Sequence, residues 1–149
     1  MNGATNEKLK NAAWQILTIG PTLKKRLVRP EIEQKNNPIP LSYVQVLAAL
    51  NEKGSMSVSE ISSRFDIAKP NITPLIDRLI EFGYAKRVRS MADRRIVHVV
   101  LLDEGRAKLD EVAESLAEAI SGWSESLTDE KLDQLAGAID TIRRILESK

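Results

Sequence analysis

The side chains best suited to specific hydrogen bonding lie together at the start of one expected helix. They are Lys69, Asn71, Thr73, Pro74 and Arg78. Donors and acceptors near a helix N-terminus can contact base edges in a major groove, and a proline can touch a thymine methyl group. Arg78 has two open roles, since it can contact a phosphate or pair with Asp77 and Glu81 on its own helix. The alternative for the whole set is an ordinary solvated helix face.

A second group of side chains is basic and lies in an expected hairpin between residues 84 and 100. It comprises Lys86, Arg87, Arg89, Arg94 and Arg95. Asp93 is the only acidic residue in that segment, so the local charge is +4. Such a charge suits an anionic partner, although a charged hairpin tip can also serve only to keep the protein in solution.

Several kinds of chemistry are excluded by composition. The 149 residues contain no cysteine, which rules out disulfides, thiolate nucleophiles and zinc sites with cysteine ligands. His98 is the only histidine, so a site with several histidines cannot form, and we expect it to be an exposed strand residue. We therefore expect no catalytic residue, no metal and no cofactor. The sequence also lacks the glycine-rich phosphate loop and the common hydrolase motifs.

The charge is distributed unevenly along the chain. Residues 1–63 carry +3 and residues 64–102 carry +4, whereas residues 103–149 carry −6. The middle of the chain is therefore the part expected to bind an anion. No apolar run approaches the roughly 20 residues that cross a bilayer, so no membrane partner is expected. With no export signal and no cysteine, we expect a cytoplasmic protein.

The elements that position these groups follow from periodicity and capping residues. Apolar residues at mostly three and four spacing predict a helix that opens the chain, and Gly20-Pro21 should kink or split it. A loop is expected from Arg29 to Pro40. A second helix is expected from Ser42, which has capping-box spacing to Gln45, up to a stop at Gly54.

A compact group of elements follows. Ser57 and Glu60 repeat the capping-box spacing and predict a third helix from Val58 to about Phe65. A turn at Asp66-Ile67 leads to a fourth helix that ends at Gly83. Its inward stripe should be Ile72, Leu75, Ile76 and Leu79. Two strands, 84–89 and 96–101, should then form a hairpin. The chain returns to helix at Asp103, and Thr128 should cap a last helix.

The residues from Ser57 to Gly83 are followed, at a set spacing, by Asp93-Arg94-Arg95, a β-branched strand and Glu104-Gly105-Arg106. This pattern resembles the MarR family of bacterial and archaeal transcriptional regulators. The similarity runs without gaps over about fifty residues and continues upstream through 41–50. Two positions depart from the family: Ala68 and Leu102 stand where it often has a Ser or Thr cap. Asp103 is a candidate to cap the second of these helices.

The resemblance implies a mostly α fold with a small two-stranded β-wing, a winged helix-turn-helix flanked by N- and C-terminal dimerisation helices. Dimerisation would use residues 1–35 and 103–149, and residues 41–102 would form the DNA-binding domain. In the family, an arginine of the wing enters the minor groove, which implies Arg95, with Arg94 beside it and Asp93 orienting both. The DNA-binding set on the wing would be Asp93, Arg94, Arg95, Arg87 and Arg89.

The implied function is a homodimeric regulator of transcription, a repressor that binds double-stranded DNA at a pseudo-palindromic operator. The apolar seams around Leu109–Trp123 and Leu132–Leu146 fit the homodimer, because such seams need partner helices. A small-molecule effector would act at the junction of the dimer helices and the winged helix, but the sequence identifies no effector site. Trp14, Tyr43 and Trp123 are better explained by core or dimer packing than by ligand binding. Two other hypotheses are a small nucleic-acid-processing enzyme and a winged-helix scaffold for protein interactions.

Overall fold

The structure is a computed structural model, and the residues described are 3–27, 38–123 and 127–147. Within these ranges the chain forms six helices and a three-stranded sheet. The helices are α1 (Gly3–Leu27), α2 (Leu41–Lys53), α3 (Val58–Phe65), α4 (Lys69–Glu81), α5 (Asp103–Ser121) and α6 (Asp129–Glu147). The strands are β1 (Ser55–Ser57), β2 (Ala85–Arg89) and β3 (Val97–Leu101). The mostly helical fold predicted from the sequence is confirmed.

The core of the molecule lies between α2, α3, α4 and the sheet. Its fully buried aliphatic side chains are Val46, Leu47, Leu50, Ile61, Ile72, Ile76, Leu79 and Val99. The stripe predicted for α4 is confirmed, since Ile72, Ile76 and Leu79 are fully buried and Leu75 is half-buried against the same cluster. This packing fixes one face of α4 and leaves the opposite face in solvent.

The sheet has one strand more than the sequence predicted. The hairpin of β2 and β3 is confirmed, with Arg87 opposite Val99 in antiparallel register. The additional strand β1 pairs with the other edge of β3, so the order is β1-β3-β2. A strand of three residues is too short to show the alternation by which strands are recognised.

Helix ends explain how the chain turns between these elements. The capping box at Ser57 is confirmed: its Oγ accepts from the Glu60 N–H at 3.2 Å, and Glu60 Oε2 accepts from the Ser57 N–H at 2.6 Å. The box predicted at Ser42 is wrong. Helix α2 begins one residue earlier, after Pro40, and has no side-chain cap. The Pro40 carbonyl instead accepts from the Tyr43 N–H at 2.9 Å.

The first helix is continuous. Pro21 lies inside α1, so the chain is not split at Gly20-Pro21, one of the two outcomes that the sequence allowed. The loop expected from Arg29 to Pro40 falls mostly on residues 28–37, which lie outside the described residues. At the other end of the chain, the cap predicted at Thr128 is confirmed, because its Oγ1 accepts from the Lys131 N–H at 3.4 Å.

Helix α5 is one of the three outer helices, α1, α5 and α6, and it meets the winged helix, from α2 to β3, through backbone and side-chain contacts. The Leu102 N–H donates to the Tyr84 carbonyl at 2.9 Å, and Arg106 donates to Asn51 Oδ1 at 2.9 Å. A Cβ at Gly105 would collide with that same Tyr84 carbonyl and would lie 2.6 Å from Leu101 Cδ1. Helix α5 has no side-chain cap at its start, so capping by Asp103 is not observed.

Candidate nucleic-acid interface

The start of α4 presents its polar residues to solvent without a side-chain cap. Ala68 occupies the N-cap position and makes no side-chain hydrogen bond, whereas its carbonyl accepts from the Asn71 N–H at 2.8 Å. Lys69, Asn71 and Pro74 are exposed. The first two turns therefore offer an ammonium group, an amide and a proline ring to a partner, together with the positive end of the helix dipole.

Thr73 is less free than the sequence suggested. Its hydroxyl donates to the Lys69 carbonyl at 2.8 Å, and the residue is half-buried. Its single proton is therefore used within the helix, and only the lone pairs of the oxygen remain for a partner. Thr73 can accept a hydrogen bond from a base edge, but donating one would cost the bond to Lys69.

Arg78 adopts the second of its two open roles. Its Nη1 lies 2.6 Å from Glu81 Oε2, and its guanidinium lies 5.2 Å from the centre of the Phe82 ring. Both partners stand on or directly after the same helix, so the contacts fix this side chain along α4. The structure thus favours the ion pair of Arg78 with Glu81 over an unpaired Arg78 side chain that could contact a phosphate directly.

The tip of the hairpin holds Arg95 in a defined geometry. Asp93 accepts two hydrogen bonds from the Arg95 guanidinium, both at 3.2 Å, and one from the Arg95 N–H at 3.0 Å. These bonds to Arg95 hold the pKa of the Asp93 carboxyl below its ordinary value. The Arg95 side chain nevertheless remains 91% exposed. Ser90 Oγ completes the turn by accepting from the Ala92 and Asp93 N–H groups.

The remaining cations of the hairpin behave in two ways. Lys86, Arg89 and Arg94 are exposed and have no ion-pair partner within the described part of the chain. Arg87 differs, because its Nη2 lies 2.7 Å from Asp77 Oδ1 on α4. Helical spacing in the sequence indicates Asp77 only as a partner for Arg78. Helical spacing gives pairs within one helix, whereas a pair between a helix and a strand requires the fold.

Two further residues of the sheet differ from what the sequence indicated. His98 was predicted to be exposed, and this is wrong: it is half-buried, and its Nδ1 is buried without a hydrogen-bond partner among the described residues. The cause is β1, which places Ser57 opposite His98 on a strand that the sequence did not reveal. Met91, at the tip of the hairpin, is fully exposed beside the arginines. In the sequence, the only indication of this exposure is the position of an apolar residue within a charged turn.

Neither metal binding nor membrane insertion is indicated in the described ranges. No group of three or more acidic or histidine side chains there is arranged to hold a metal ion. None of the described helices combines the length and hydropathy needed to cross a bilayer.

Helix α3, a turn, helix α4 and a basic hairpin together define a winged helix-turn-helix. The turn is tight, since Asp66 adopts a left-handed conformation at φ 51° and the Ile67 N–H donates to the Ser62 carbonyl at 3.0 Å. Residues 39–97 match the model of the MarR family. The segment that forms the winged helix-turn-helix therefore has the sequence features of that family.

Individual relatives are consistent with that assignment. The chain is 34% identical over 91 residues to the HTH-type transcriptional repressor MdtR of Bacillus subtilis, covering 61% of this chain and 59% of that protein. It is 36% identical over 107 residues to the HTH-type transcriptional regulator TtmR of Methylorubrum extorquens, covering 68% of this chain and 54% of the relative. The chain thus spans little more than half the length of these curated relatives.

A solved structure extends the likeness to the outer helices. A MarR family protein from Bacillus stearothermophilus has 27% sequence identity and a TM-score of 0.72, and the superposition covers 99% of both chains. The outer helices therefore belong to the shared fold together with the winged helix.

Proposed function

We propose that this protein is a sequence-specific DNA-binding transcriptional regulator, a repressor that binds a pseudo-palindromic operator as a homodimer. The observation that carries the proposal is the pair of surfaces on one winged helix: an uncapped polar start of α4, and Arg95 held outward by Asp93. The names of the relatives MdtR and TtmR support the regulatory role. We infer that the protein acts in the cytoplasm, where its DNA would lie.

For base reading, we propose the exposed start of α4. Lys69 can donate to guanine acceptors, and the Asn71 amide can form a bidentate pair with adenine. Pro74 can contact a thymine methyl group, and Thr73 can accept from a base amino group. Arg78 would act from the end of this row, where its pair with Glu81 has to open before it reaches a phosphate.

For the wing, we propose that Arg95 enters a narrow minor groove, where the negative potential attracts arginine. Asp93 orients the guanidinium and reduces the conformational entropy that Arg95 loses on binding. Arg89 and Arg94 would contact neighbouring phosphates.

A second copy of this chain is the partner that we propose for the outer helices. The chain exposes 11122 Å², whereas a compact monomer of this mass is expected to expose about 7,600 Å². The excess of roughly 3,500 Å² per chain, about 7,000 Å² for two copies, is at the upper end of obligate dimer interfaces. An apolar groove of about 830 Å³ between α1 and α6 is lined by Ile16, Ile19, Ile142, Ile145 and Leu146, among others.

From these surfaces we propose separate roles for the outer helices and the winged helix. Residues 1–35 and 103–149 would dimerise, and residues 41–102 would bind DNA. Two-fold symmetry would then present two α4 helices to half-sites whose centres are about 34–36 Å apart. A small-molecule effector would act through the junction around Gly105, but no described residue identifies its chemistry.

The test is selection of a preferred duplex from a random pool, followed by titration of that duplex and of a scrambled control at several salt concentrations. Asn71→Ala should cost about 1–3 kcal/mol on the selected site and little on the scrambled one. Arg95→Ala should weaken both and reduce the salt slope by about one unit. Gln134→Ala, on α6, serves as the control for substitution itself.

The outcomes separate the competing functions. Equal loss on both duplexes for Asn71→Ala would contradict its role in base reading. Absence of binding at any salt concentration would favour a scaffold for protein interactions. An enzyme is the weakest alternative, because residues 39–97 match the MarR family and the chain has neither a cysteine nor a second histidine.

A further inference from the structure

We propose that Asp77 and Arg87 form a positioning pair that holds the wing in place against the recognition helix α4. The proposal rests on the DNA-binding function proposed above. It gives Arg87 a different role from the phosphate contact that its charge suggests. It also makes a carboxylate on the recognition helix necessary for binding a polyanion.

The geometry of β2 shows why such a pair is needed. Side chains alternate along a strand, so Ala85, Arg87 and Arg89 share one face. Ala85 is 2% exposed and joins the core, whereas every residue of β2 after it is exposed. Core packing along β2 therefore ends at Ala85, although Val99, opposite Arg87 on β3, is completely buried. Arg87, two residues farther toward the tip, reaches Asp77 Oδ1 at 2.7 Å.

Other bonds between α4 and the wing lie only at its base. The Tyr84 N–H donates to the Leu79 carbonyl at 3.0 Å, and the Gly83 N–H donates to the Ile80 carbonyl at 2.9 Å. They fix where β2 begins. Strand β1 holds β3 as far as His98, whereas β2 is the other edge strand and is held beyond Ala85 only by its pairing with β3 and by Arg87. Among the described residues, Asp77–Arg87 is the only ion pair that joins α4 to β2.

Charge makes the two roles of Arg87 distinguishable. If Arg87 contacts a phosphate, removing the charge of Asp77 frees the arginine, reduces repulsion of DNA, and tightens binding. If the pair positions the wing, removing either charge releases the hairpin and weakens binding. Asp77→Asn therefore has opposite predicted effects under the two roles.

The same helix supplies a matched control. Arg78 and Glu81 form an ion pair at 2.6 Å with comparable exposure, but both residues lie on α4. A pair within one helix cannot orient a different element. Glu81→Gln removes the same charge as Asp77→Asn from the same helix, so it should not weaken DNA binding.

The binding experiment is a double-mutant cycle on the selected operator. We expect Asp77→Asn, Arg87→Gln and the double variant to bind about tenfold more weakly than the wild type, to a similar extent, because either single change already opens the pair. The salt slope should stay unchanged, because Arg89, Arg94 and Arg95 still reach the DNA in the bound state and only the ordering of the wing becomes more costly. Wild-type or tighter binding by Asp77→Asn would overturn the proposal, as would a shallower salt slope for Arg87→Gln.

A second readout needs no DNA and also reports on folding. Because the chain has no cysteine, spin labels can be placed at Met91→Cys on the wing tip and Ser63→Cys on α3, both exposed positions. Asp77→Asn should broaden the distance distribution between the labels, whereas Glu81→Gln should leave it narrow. Equal widths in a folded Asp77→Asn variant would overturn the positioning role. Failure of the wild type to bind DNA would contradict the proposed function without affecting this measurement.

Discussion

The winged helix and the outer helices carry the same kind of apolar stripe but differ in burial. In the winged helix, Leu47, Ile61 and Leu79 are completely buried within one chain. In the outer helices, Trp14 is 67% exposed and Ile145 is 66% exposed. The comparison shows that periodicity identifies the face that needs a partner, but does not say whether the same chain supplies that partner.

The difference has a topological cause. Between residues 54 and 85, short turns bring α3, α4 and the strands together. The apolar stripe of each element therefore packs against that of an element nearby in the sequence. Within the described part of the chain, helix α6 is not packed in this way, and none of its residues from Asp129 to Glu147 is buried. Its apolar face meets α1 only along an open groove. We therefore expect the two regions to respond differently to mutation.

The largest effect should come from charge in the groove. Ile142→Asp combined with Ile145→Asp should convert a dimer to a monomer, because an uncompensated buried charge costs about 3–5 kcal/mol. Size-exclusion chromatography with light scattering at micromolar concentration measures this. Arg144→Asp on the opposite face of α6 changes the net charge equally and should leave the dimer intact. A wild type that is monomeric at this concentration would contradict the interface.

The next effect concerns the core of the winged helix. Leu47→Ala should lower the free energy of unfolding by about 2–5 kcal/mol, through lost burial and the cavity that remains. Urea denaturation gives the value, and Gln45→Ala, exposed on the same helix, is the control. The loss should persist in the Ile142→Asp, Ile145→Asp background. If it disappears there, the winged helix has no stability independent of the dimer, and the comparison fails.

The sequence predicted the elements whose signals are local. Helices α3 and α4 and the β2–β3 hairpin follow from caps, periodicity and β-branched residues between 57 and 101. Strand β1 was missed because three residues carry no alternation, and the burial of His98 was missed with it. The pairing of Arg87 with Asp77 requires the relative placement of a strand and a helix. Such a contact depends on tertiary packing and cannot be recognised from a local sequence pattern.

The candidate site, too, was predictable only where the sequence signal is local. The polar face of α4 was predictable because it is the complement of a buried stripe, and Ile72, Ile76 and Leu79 are buried as predicted. The use of the Thr73 hydroxyl by the Lys69 carbonyl was not, since a mid-helix threonine can point either way. The contacts of these residues with DNA remain predictions.

A smaller effect is expected at the junction between the two regions. Gly105→Ala places a Cβ against the Tyr84 carbonyl, a backbone atom that cannot rotate away, so about 1–3 kcal/mol of stability should be lost. Gly137→Ala in α6 meets no atom within 4 Å and should stabilise by about 0.4–1 kcal/mol. Thermal or urea denaturation compares the two. A neutral Gly105→Ala would mean that α5 shifts freely against the wing, so the two regions would be coupled only weakly.

The smallest effect concerns the cap at the start of α3. Ser57→Ala removes the acceptor of the Glu60 N–H and should lower the free energy of unfolding by about 0.5–2 kcal/mol. Ser59→Ala, in the first turn but outside the cap position, should have little effect. Both substitutions lie far in sequence from the groove, so dimerisation should remain unchanged in the same light-scattering measurement.

The same cap gives a pH dependence with a defined sign. Hydrogen bonds from Ser57 hold the pKa of Glu60 below its ordinary value, so the carboxylate stabilises the folded chain when it is ionised. That contribution is fully present above the unfolded pKa of about 4.3 and is lost as the pH falls through the lower folded value. Glu60→Ala should therefore be less stable than the wild type from neutral pH down to about pH 5, and the two should converge as the pH falls below the lowered pKa of folded Glu60. The pKa of Asp93 is lowered by Arg95 and that of Glu52 by Arg64. Both carboxyl groups are present in the wild type and in the variant, so their contributions to the pH dependence cancel in the difference. A gap that stays constant into acid would show that Glu60 acts through packing rather than through its charge.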